Sequence, residues 1–156
     1  LLNSDINDIP EKIDKMKNNI KELEKEVRSL KDKIAASKST DLKDNLKNIN
    51  GVNLLTHKLK DVDNNALRKM ADKLQNEIQS GIIVLASALD NKVLFVTKIS
   101  KDLVDKGFNA GNIIGQVAKV AGGGGGGRPD MAQAGGSKVD KIDEALAKAE
   151  EIVKNK

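Results

Sequence analysis

The sequence contains no cysteine, and His57 is its only histidine. Disulfides, thiolate chemistry and zinc sites of the usual Cys/His kind are therefore excluded. Aromatic residues are limited to Phe95 and Phe108, too few for an RNA-binding platform that stacks bases on exposed rings. No apolar run approaches the roughly 18 residues of a membrane span, and no signal-peptide pattern opens the chain. We therefore expect a cytoplasmic protein with no membrane partner.

The chain also lacks a strong excess of one charge. Lys and Arg number 27 against 23 acidic residues, a net charge of +4 over 156 residues. This excess is mild for a nucleic-acid-binding protein, so the placement of the lysines matters more than their number. The length suits one domain, or a smaller domain with an extension. Because no methionine precedes Leu1, we expect the sequence to be part of a longer protein.

The first part of the chain carries a heptad repeat. Between about Pro10 and Ser37 the pattern predicts one helix, roughly 40 Å long at about 1.5 Å per residue. Its apolar stripe covers only two positions in seven, which favours a coiled coil over a helix packed on its own domain. The repeat begins at Ile6 and Ile9 and continues through the predicted dimer contacts: Ile13, Met16, Ile20, Leu23, Val27, Leu30 and Ile34.

The pairing of this helix is open at the level of sequence. Ile and Val at the a positions, with leucines among the d positions, favour two parallel strands. In such a pair Glu26 attracts Lys31 of the other helix, but Lys12 repels Lys17. An antiparallel hairpin with a helix upstream of this sequence is the alternative.

Residues 1–40 are thus predicted to be a helical dimerisation segment, and residues 41–156 a globular domain. The polar stretch from Ser37 to Asn50 is interpreted as a hinge or short connecting element. About three strands are predicted in one sheet: Val52 to Leu59, IIVLASAL and KVLFVTKI. Asp90-Asn91 between the last two indicates a tight hairpin. With helices around this sheet, the fold class is α+β.

Capping residues mark the starts of the surrounding helices. Asp63, Ser100 and Asn109 are each predicted to cap a helix. Ser137 with Asp140 resembles a capping box in front of the last helix. One apolar stripe follows to the end of the chain: Val139, Ile142, Leu146, Ala149 and Val153.

The stretch GGGGGGRPDMAQAGG, residues 122–136, holds eight of the thirteen glycines. It fits neither a dinucleotide fingerprint, which needs a preceding strand, nor a Walker loop, which ends in Gly-Lys-Ser/Thr. Its bare backbone N–H groups suit an anion-binding nest, and Arg128 suits a two-bond contact to a phosphate. Close packing against another backbone explains the glycines equally well.

Other candidate residues carry weaker signals. Gly111 and Gly115 form a GxxxG pattern that is more typical of close helix packing than of a ligand site. His57 lies in an alternating strand without a catalytic partner at motif spacing, so it is interpreted as structural. The lysines near the glycines form either a basic rim with Arg128 or an ordinary solvated face: Lys98, Lys101, Lys106, Lys119 and Lys138.

The glycine stretch resembles the signature of the DHHA1 domain. A charged heptad helix directly before such a domain is similar to the C-terminal region of alanyl-tRNA synthetase. The segments SGIIVLASALDNKVLFVTKIS and NAGNIIGQVAKVAGG point to the same branch, so the resemblance covers essentially the whole chain. The unbroken run of glycines departs from the family, whose members often carry a lysine or another residue within it. Arg128 and the nearby lysines are therefore more important as candidate phosphate contacts.

The resemblance implies a non-catalytic module that binds the outer corner (elbow) of tRNA(Ala) and helps link aminoacylation and editing on one tRNA. It also implies a homodimer through the heptad helix, and contact with the aminoacylation and editing domains of the same chain. No cofactor is expected in this sequence, whereas the parent ligase is expected to use ATP, Mg and Zn in other domains. The implied RNA contacts are Gly122, Gly123, Gly124, Gly125, Gly126, Gly127, Arg128, Gln133, Gly135 and Gly136, supported by Lys98, Lys101, Lys106, Lys119 and Lys138.

DHHA1 domains also occur in DHH phosphodiesterases, where they hold the nucleotide opposite a metal-bearing domain. This sequence lacks the Asp-His-His cluster, and His57 cannot replace it. The alternative function is therefore the nucleotide-binding half of such an enzyme, split from its catalytic domain. A pure dimerisation module without RNA affinity is the third possibility.

Overall fold

The computed structural model describes residues 9–38 and 45–156. The chain divides into two compact units with the boundary after Ile34, and each unit is described by itself. Ile6 of the heptad repeat and the side chains of Lys31 and Ile34 lie outside the described part of the chain.

One long helix, α1 (Ile9–Lys38), of 30 residues makes up the described part of the first unit and continues past its boundary. It covers the range in which the heptad pattern predicts a helix. The described side chains of α1 are all exposed, and its coiled-coil pairing stays a prediction. The exposed apolar side chains are those of the repeat: Ile9, Ile13, Met16, Ile20, Leu23, Val27 and Leu30.

A six-stranded sheet organises the second unit. Its strands are β1 (Leu46–Ile49), β2 (Val52–Lys60), β3 (Ile82–Leu89), β4 (Lys92–Ile99), β5 (Gly124–Gly127) and β6 (Met131–Gly136). The order across the sheet is β1-β2-β3-β4-β6-β5. The neighbours β2 and β3 are parallel, and the other neighbouring pairs are antiparallel.

Helices cover both faces of the sheet. These are α2 (Asn64–Ile78), α3 (Lys101–Asp105), α4 (Ala110–Val120) and α5 (Ile142–Lys154). On one face, α2 packs Leu67 and Leu74 against Ile83 and Val96. On the other face, α4 and α5 enclose a larger core around Phe95. Among the helices of the described ranges, none is long and apolar enough to cross a bilayer.

The predicted number of strands, about three, was wrong, because the sheet has six. The three predicted strands correspond to β2, β3 and β4, and the Asp90-Asn91 hairpin is confirmed with φ values of 48° and 59°. The missed β1 lies in the segment interpreted as a connection, and β5 and β6 lie in the glycine stretch. Strand β1 is short and mostly exposed, β5 contains only glycine, and β6 contains mainly glycine and alanine. None of the three carries the period-two apolar pattern that predicts a strand.

Two of the predicted helix caps are confirmed. The Oδ1 atoms of Asp63 and Asn109 accept from the backbone N–H three residues ahead, at 2.9 and 3.1 Å. Ser100 lies at the N-cap of α3 as predicted, but its side chain forms no capping bond, because its Oγ accepts from the Gly81 N–H at 3.1 Å. The capping box at Ser137 is wrong: its Oγ bonds to the Gly122 carbonyl at 3.3 Å, and α5 begins only at Ile142 after a 3-10 turn.

Candidate nucleic-acid interface

The first glycine of the stretch ends α4 and reverses the chain. Gly122 has φ 66°, a left-handed conformation that glycine adopts without steric cost. The N–H of Gly123 donates to the Ala118 carbonyl at 2.9 Å and that of Gly122 to the Lys119 carbonyl at 3.1 Å. This pair of bonds is the Schellman arrangement, which satisfies the last carbonyls of a helix. The following residues thereby enter the sheet as β5.

Alternate glycines of this segment are required by the packing inside the domain. A Cβ on Gly123 or Gly125 would strike the backbone of β6, and one on Gly127 would come within 2.6 Å of the Met131 carbonyl oxygen. A Cβ on Gly136 would lie 2.6 Å from the Ala121 carbonyl oxygen, which already accepts the N–H groups of residues 137 and 138. These four glycines are explained by close backbone approach within the fold.

Gly124 and Gly126 have no such internal requirement. A Cβ at either position would meet nothing within 4 Å. In the antiparallel register Gly124 lies opposite Gly135 and Gly126 opposite Gln133, and opposite residues share a face of the sheet. We call this set the bare sheet face: Gly124, Gly126, Gln133 and Gly135. It presents backbone and one amide side chain at the sheet edge.

The GxxxG pattern of α4 supports β5 from the opposite side. A Cβ on Gly111 would lie 3.2 Å from the carbonyl oxygen of Gly127, and one on Gly115 would lie 3.9 Å from that of Gly125. The close-packing interpretation is therefore confirmed for Gly111, whereas the 3.9 Å separation at Gly115 is an ordinary van der Waals contact that an alanine could also make. Helix α4 holds a strand that has no side chains of its own to anchor it.

Cationic side chains stand at both ends of β5. At the start, the aliphatic carbons of Lys138 lie 3.2 Å from the Cβ position of Gly122, and Lys119 precedes the turn in α4. Both lysines are exposed, and neither takes part in an ion pair among the described residues. At the far end Arg128 is 74% exposed. The bare sheet face thus lies between the cationic side chains at the two ends of β5. Four strand residues separate these ends by about 13 Å.

Arg128 forms an ion pair with Asp130. Its Nε lies 3.2 Å from Oδ1, and its Nη2 donates to Oδ2 at 3.2 Å. The backbone under this pair is fixed on both sides, because the Pro129 carbonyl accepts from Ala110 N–H at 2.8 Å and the Asp130 carbonyl from Ile99 N–H at 2.9 Å. Sequence reasoning selected Arg128 but missed Asp130, although the spacing of two residues was a usable signal.

The other predicted lysines lie away from β5. Lys98 belongs to β4, is 21% exposed and pairs with Asp72 of α2 at 2.7 Å. Lys98 and Lys101 line a cavity of about 670 Å³ together with Asp102 and Asp130. Lys106 follows α3 and is exposed. The structure thus groups Lys119 and Lys138 at one end of β5, and Lys98 and Lys101 on the Asp130 side of Arg128.

The cavity carries mixed charge. Hydrogen bonds from the Ser100 and Ser80 side chains hold the pKa of Asp102 below its ordinary value of 3.8, so this carboxylate is ionised at neutral pH. The Ser80 Oγ donates to Asp102 Oδ2 at 2.7 Å. Two carboxylates beside two lysines make the cavity a poor site for a polyanion on its own.

Side chains suited to metal binding are not clustered within the described ranges, where no group of three or more His, Cys, Asp or Glu residues comes together. The Nδ1 of His57 lies 3.4 Å from the amide nitrogen of Asn45 at the edge of the sheet. This contact suits the structural interpretation of His57.

Comparisons with known proteins agree with the glycine signature. The DHHA1 domain family matches residues 51–155. The chain is 44% identical over 155 residues to an alanine-tRNA ligase of Natranaerobius thermophilus, covering 99% of this chain and 18% of that protein. A ligase of Clostridioides difficile is 47% identical over 134 residues, covering 86% and 15%. The chain therefore spans less than a fifth of the length of these relatives.

A solved structure shows the same relationship for the domain alone. The C-Ala domain of Aquifex aeolicus alanyl-tRNA synthetase matches with a TM-score of 0.66 and 37% identity, covering 70% of this chain and 97% of that one. A DHH-domain protein described as a member of the s1p family of ribosomal proteins shares the fold, with a TM-score of 0.52 and 18% identity. The more similar relatives thus favour the synthetase branch over the phosphodiesterase alternative.

Proposed function

The chain belongs to the DHHA1 domain family, and on this premise we propose that it is a tRNA-binding, non-catalytic module of an alanine-tRNA ligase. In this proposal the bare sheet face docks on the outer corner of tRNA(Ala), the cationic ends of β5 hold phosphates, and α1 joins two copies of the chain. The module thereby presents one tRNA to the aminoacylation and editing domains of the same chain.

The bare sheet face is the observation that carries this proposal. Glycine in a strand interior costs about 0.5–1 kcal/mol relative to alanine, because it loses more backbone entropy on folding. At Gly124 and Gly126 no contact inside the domain requires that cost, since added Cβ atoms would meet nothing within 4 Å. Close approach by an external surface supplies a reason for bare backbone at both positions.

The corner of a folded tRNA suits such a face. It exposes flat, stacked loop bases with phosphates around them, and RNA is recognised largely through shape, ribose hydroxyls and phosphates. Gly124 and Gly126 allow the backbone to approach these bases, and the Gln133 amide offers both a donor and an acceptor. Lys119, Lys138 and Arg128 reach phosphates beyond the two ends of β5. Recognition in this arrangement depends on the shape of the RNA more than on its sequence.

Dimerisation is the second part of the proposal. The described side chains of α1 are all exposed, including seven large apolar ones in heptad spacing. Helices of this kind gain stability by burying the apolar stripe against another helix. We assign that role to α1 of a second copy.

Replacement of Arg128 by alanine tests the RNA contact. Loss of a charge-assisted phosphate contact costs about 1.5–3 kcal/mol, so R128A is expected to bind tRNA(Ala) about 10- to 100-fold more weakly. The slope of log affinity against log salt should fall by about one. Fluorescence anisotropy titrations at several salt concentrations measure both quantities.

Arg68 offers a matched control. It is exposed on α2, which packs on β3 and β4 rather than on β5, and R68A removes the same charge. R68A is expected to change tRNA affinity less than twofold, with the helical circular dichroism of both variants unchanged. If R128A binds tRNA(Ala) as tightly as wild type, the glycine segment has a purely structural role.

A further inference from the structure

The geometry of the Arg128–Asp130 pair limits which part of the guanidinium faces outward. A guanidinium carries five N–H donors. The pair occupies the Nε edge, through Nε to Oδ1 and Nη2 to Oδ2, both at 3.2 Å. The Nη1 edge remains for another acceptor, and it lies on the side of the guanidinium away from the carboxylate.

The aspartate is the fixed member of the pair. Its own carbonyl accepts from Ile99 N–H of β4, and the preceding Pro129 carbonyl accepts from Ala110 N–H at the start of α4. Asp130 is also the less exposed partner, at 43% against 74% for Arg128. The backbone therefore positions Asp130, and Asp130 positions the guanidinium.

Folding stability does not explain the pair, because exposed ion pairs contribute little to it. The carboxylate has two effects on an approaching polyanion. It orients Arg128 for a phosphate that arrives at the Nη1 edge, where the carboxylate is farthest, and it repels a phosphate more strongly the closer that phosphate comes to the carboxylate. Lys98 and Lys101 lie on the same side, but Asp72 and Asp102 lie beside them, so the local charge offers no broad attraction.

We propose that Asp130 is a positioning and selectivity residue of the interface. It holds Arg128 for one phosphate of a correctly docked tRNA and weakens the binding of RNA in other arrangements. This inference rests on the proposed function.

The variant D130N separates this role from a structural one. It keeps the size of the side chain and the backbone bonds of residue 130, but it removes the negative charge. We expect D130N to bind a generic 20-base-pair RNA duplex about three- to tenfold more tightly, because a repulsive charge is lost. Its affinity for tRNA(Ala) should stay unchanged or fall, so that the ratio of tRNA to duplex affinity drops at least threefold.

D140N is the matched control, since Asp140 is exposed, lies on the 3-10 turn and loses the same charge. It should raise the affinities for tRNA and duplex by the same factor. D130E keeps the charge but cannot keep the short pair geometry, so it should bind tRNA more weakly without binding the duplex more tightly. If D130N fails to fold, the tRNA and duplex affinities of D130E still test the proposed role of Asp130.

The possible results separate a failure of the proposed role of Asp130 from a failure of the proposed tRNA-binding function. A D130N variant that changes tRNA and duplex affinities by one common factor would overturn the role of Asp130 while leaving the tRNA interface in place. D130E with wild-type tRNA affinity would do the same. A wild-type chain that binds tRNA(Ala) no better than the duplex would instead contradict the proposed function itself.

Discussion

Neighbouring glycines in the run from Gly122 to Gly127 differ in what surrounds them. Gly123, Gly125 and Gly127 lie too close to the backbone of β6 to accept a Cβ, whereas Gly124 and Gly126 face open space. The sequence predicts that the glycine segment is special and leaves close packing and phosphate contact as equal explanations. Close packing applies at alternate positions, whereas phosphate contact at the open positions stays a prediction, and only the strand register separates the two sets of glycines. That register could not be predicted, because a run of identical residues contains no period.

Single alanine substitutions at adjacent positions test this alternation. G125A should destabilise the domain by about 1–3 kcal/mol through overpacking, since its Cβ would strike Ala134 of β6. G126A should fold with equal or slightly greater stability, because its φ lies outside the left-handed region and its Cβ meets open space. Urea unfolding monitored by circular dichroism measures both effects.

The same pair of variants bears on function. G126A places a methyl group on the bare sheet face, so it should reduce tRNA affinity about tenfold although its fold is intact. Wild-type affinity in G126A would show that no surface approaches this glycine closely.

At the scale of elements, the sequence predicted helix caps and turns correctly where the residue acts on its own neighbours in the chain. Asp63 and Asn109 cap their helices through their own oxygens, and Asp90-Asn91 forms the expected tight turn. It failed where tertiary contacts reassign a side chain. Ser100 and Ser137 are ordinary capping residues by type, but one bonds to Gly81 and the other to Gly122. Both hydroxyls tie together segments that are distant in sequence.

Helix α1 supplies the prediction that belongs to this scale. I20E places a charge in the middle of the apolar stripe, and N18E places the same charge on the polar face as a control. We expect I20E to be monomeric and N18E to remain dimeric in sedimentation velocity at micromolar concentration, because a buried unpaired carboxylate opposes helix pairing. A wild-type chain that sediments as a monomer would remove dimerisation from the proposal.

For the whole molecule, the order of elements explains why the bare sheet face, the proposed binding surface, lies at the edge of the sheet. The chain crosses from α4 through the Gly122 turn into β5, the last strand in the order β1-β2-β3-β4-β6-β5. Helix α2 packs on β3 and β4, and the bare sheet face lies beyond them on the same face of the sheet. The strand, turn and helix-cap patterns predicted the α+β fold class. The missed strands depend on pairings that no local pattern records, whereas the Asp130 contact, two residues from Arg128, could have been predicted from the spacing.

Binding of tRNA(Ala) with an intact corner, compared with the same tRNA whose corner loops are disrupted, tests the central proposal most directly. The shape of the corner is the feature that the bare sheet face and its cationic ends are proposed to recognise. Disruption should therefore weaken binding at least tenfold, about 1.4 kcal/mol, at moderate salt, where non-specific phosphate attraction is reduced. Equal affinity for the two RNAs would contradict recognition of the tRNA corner.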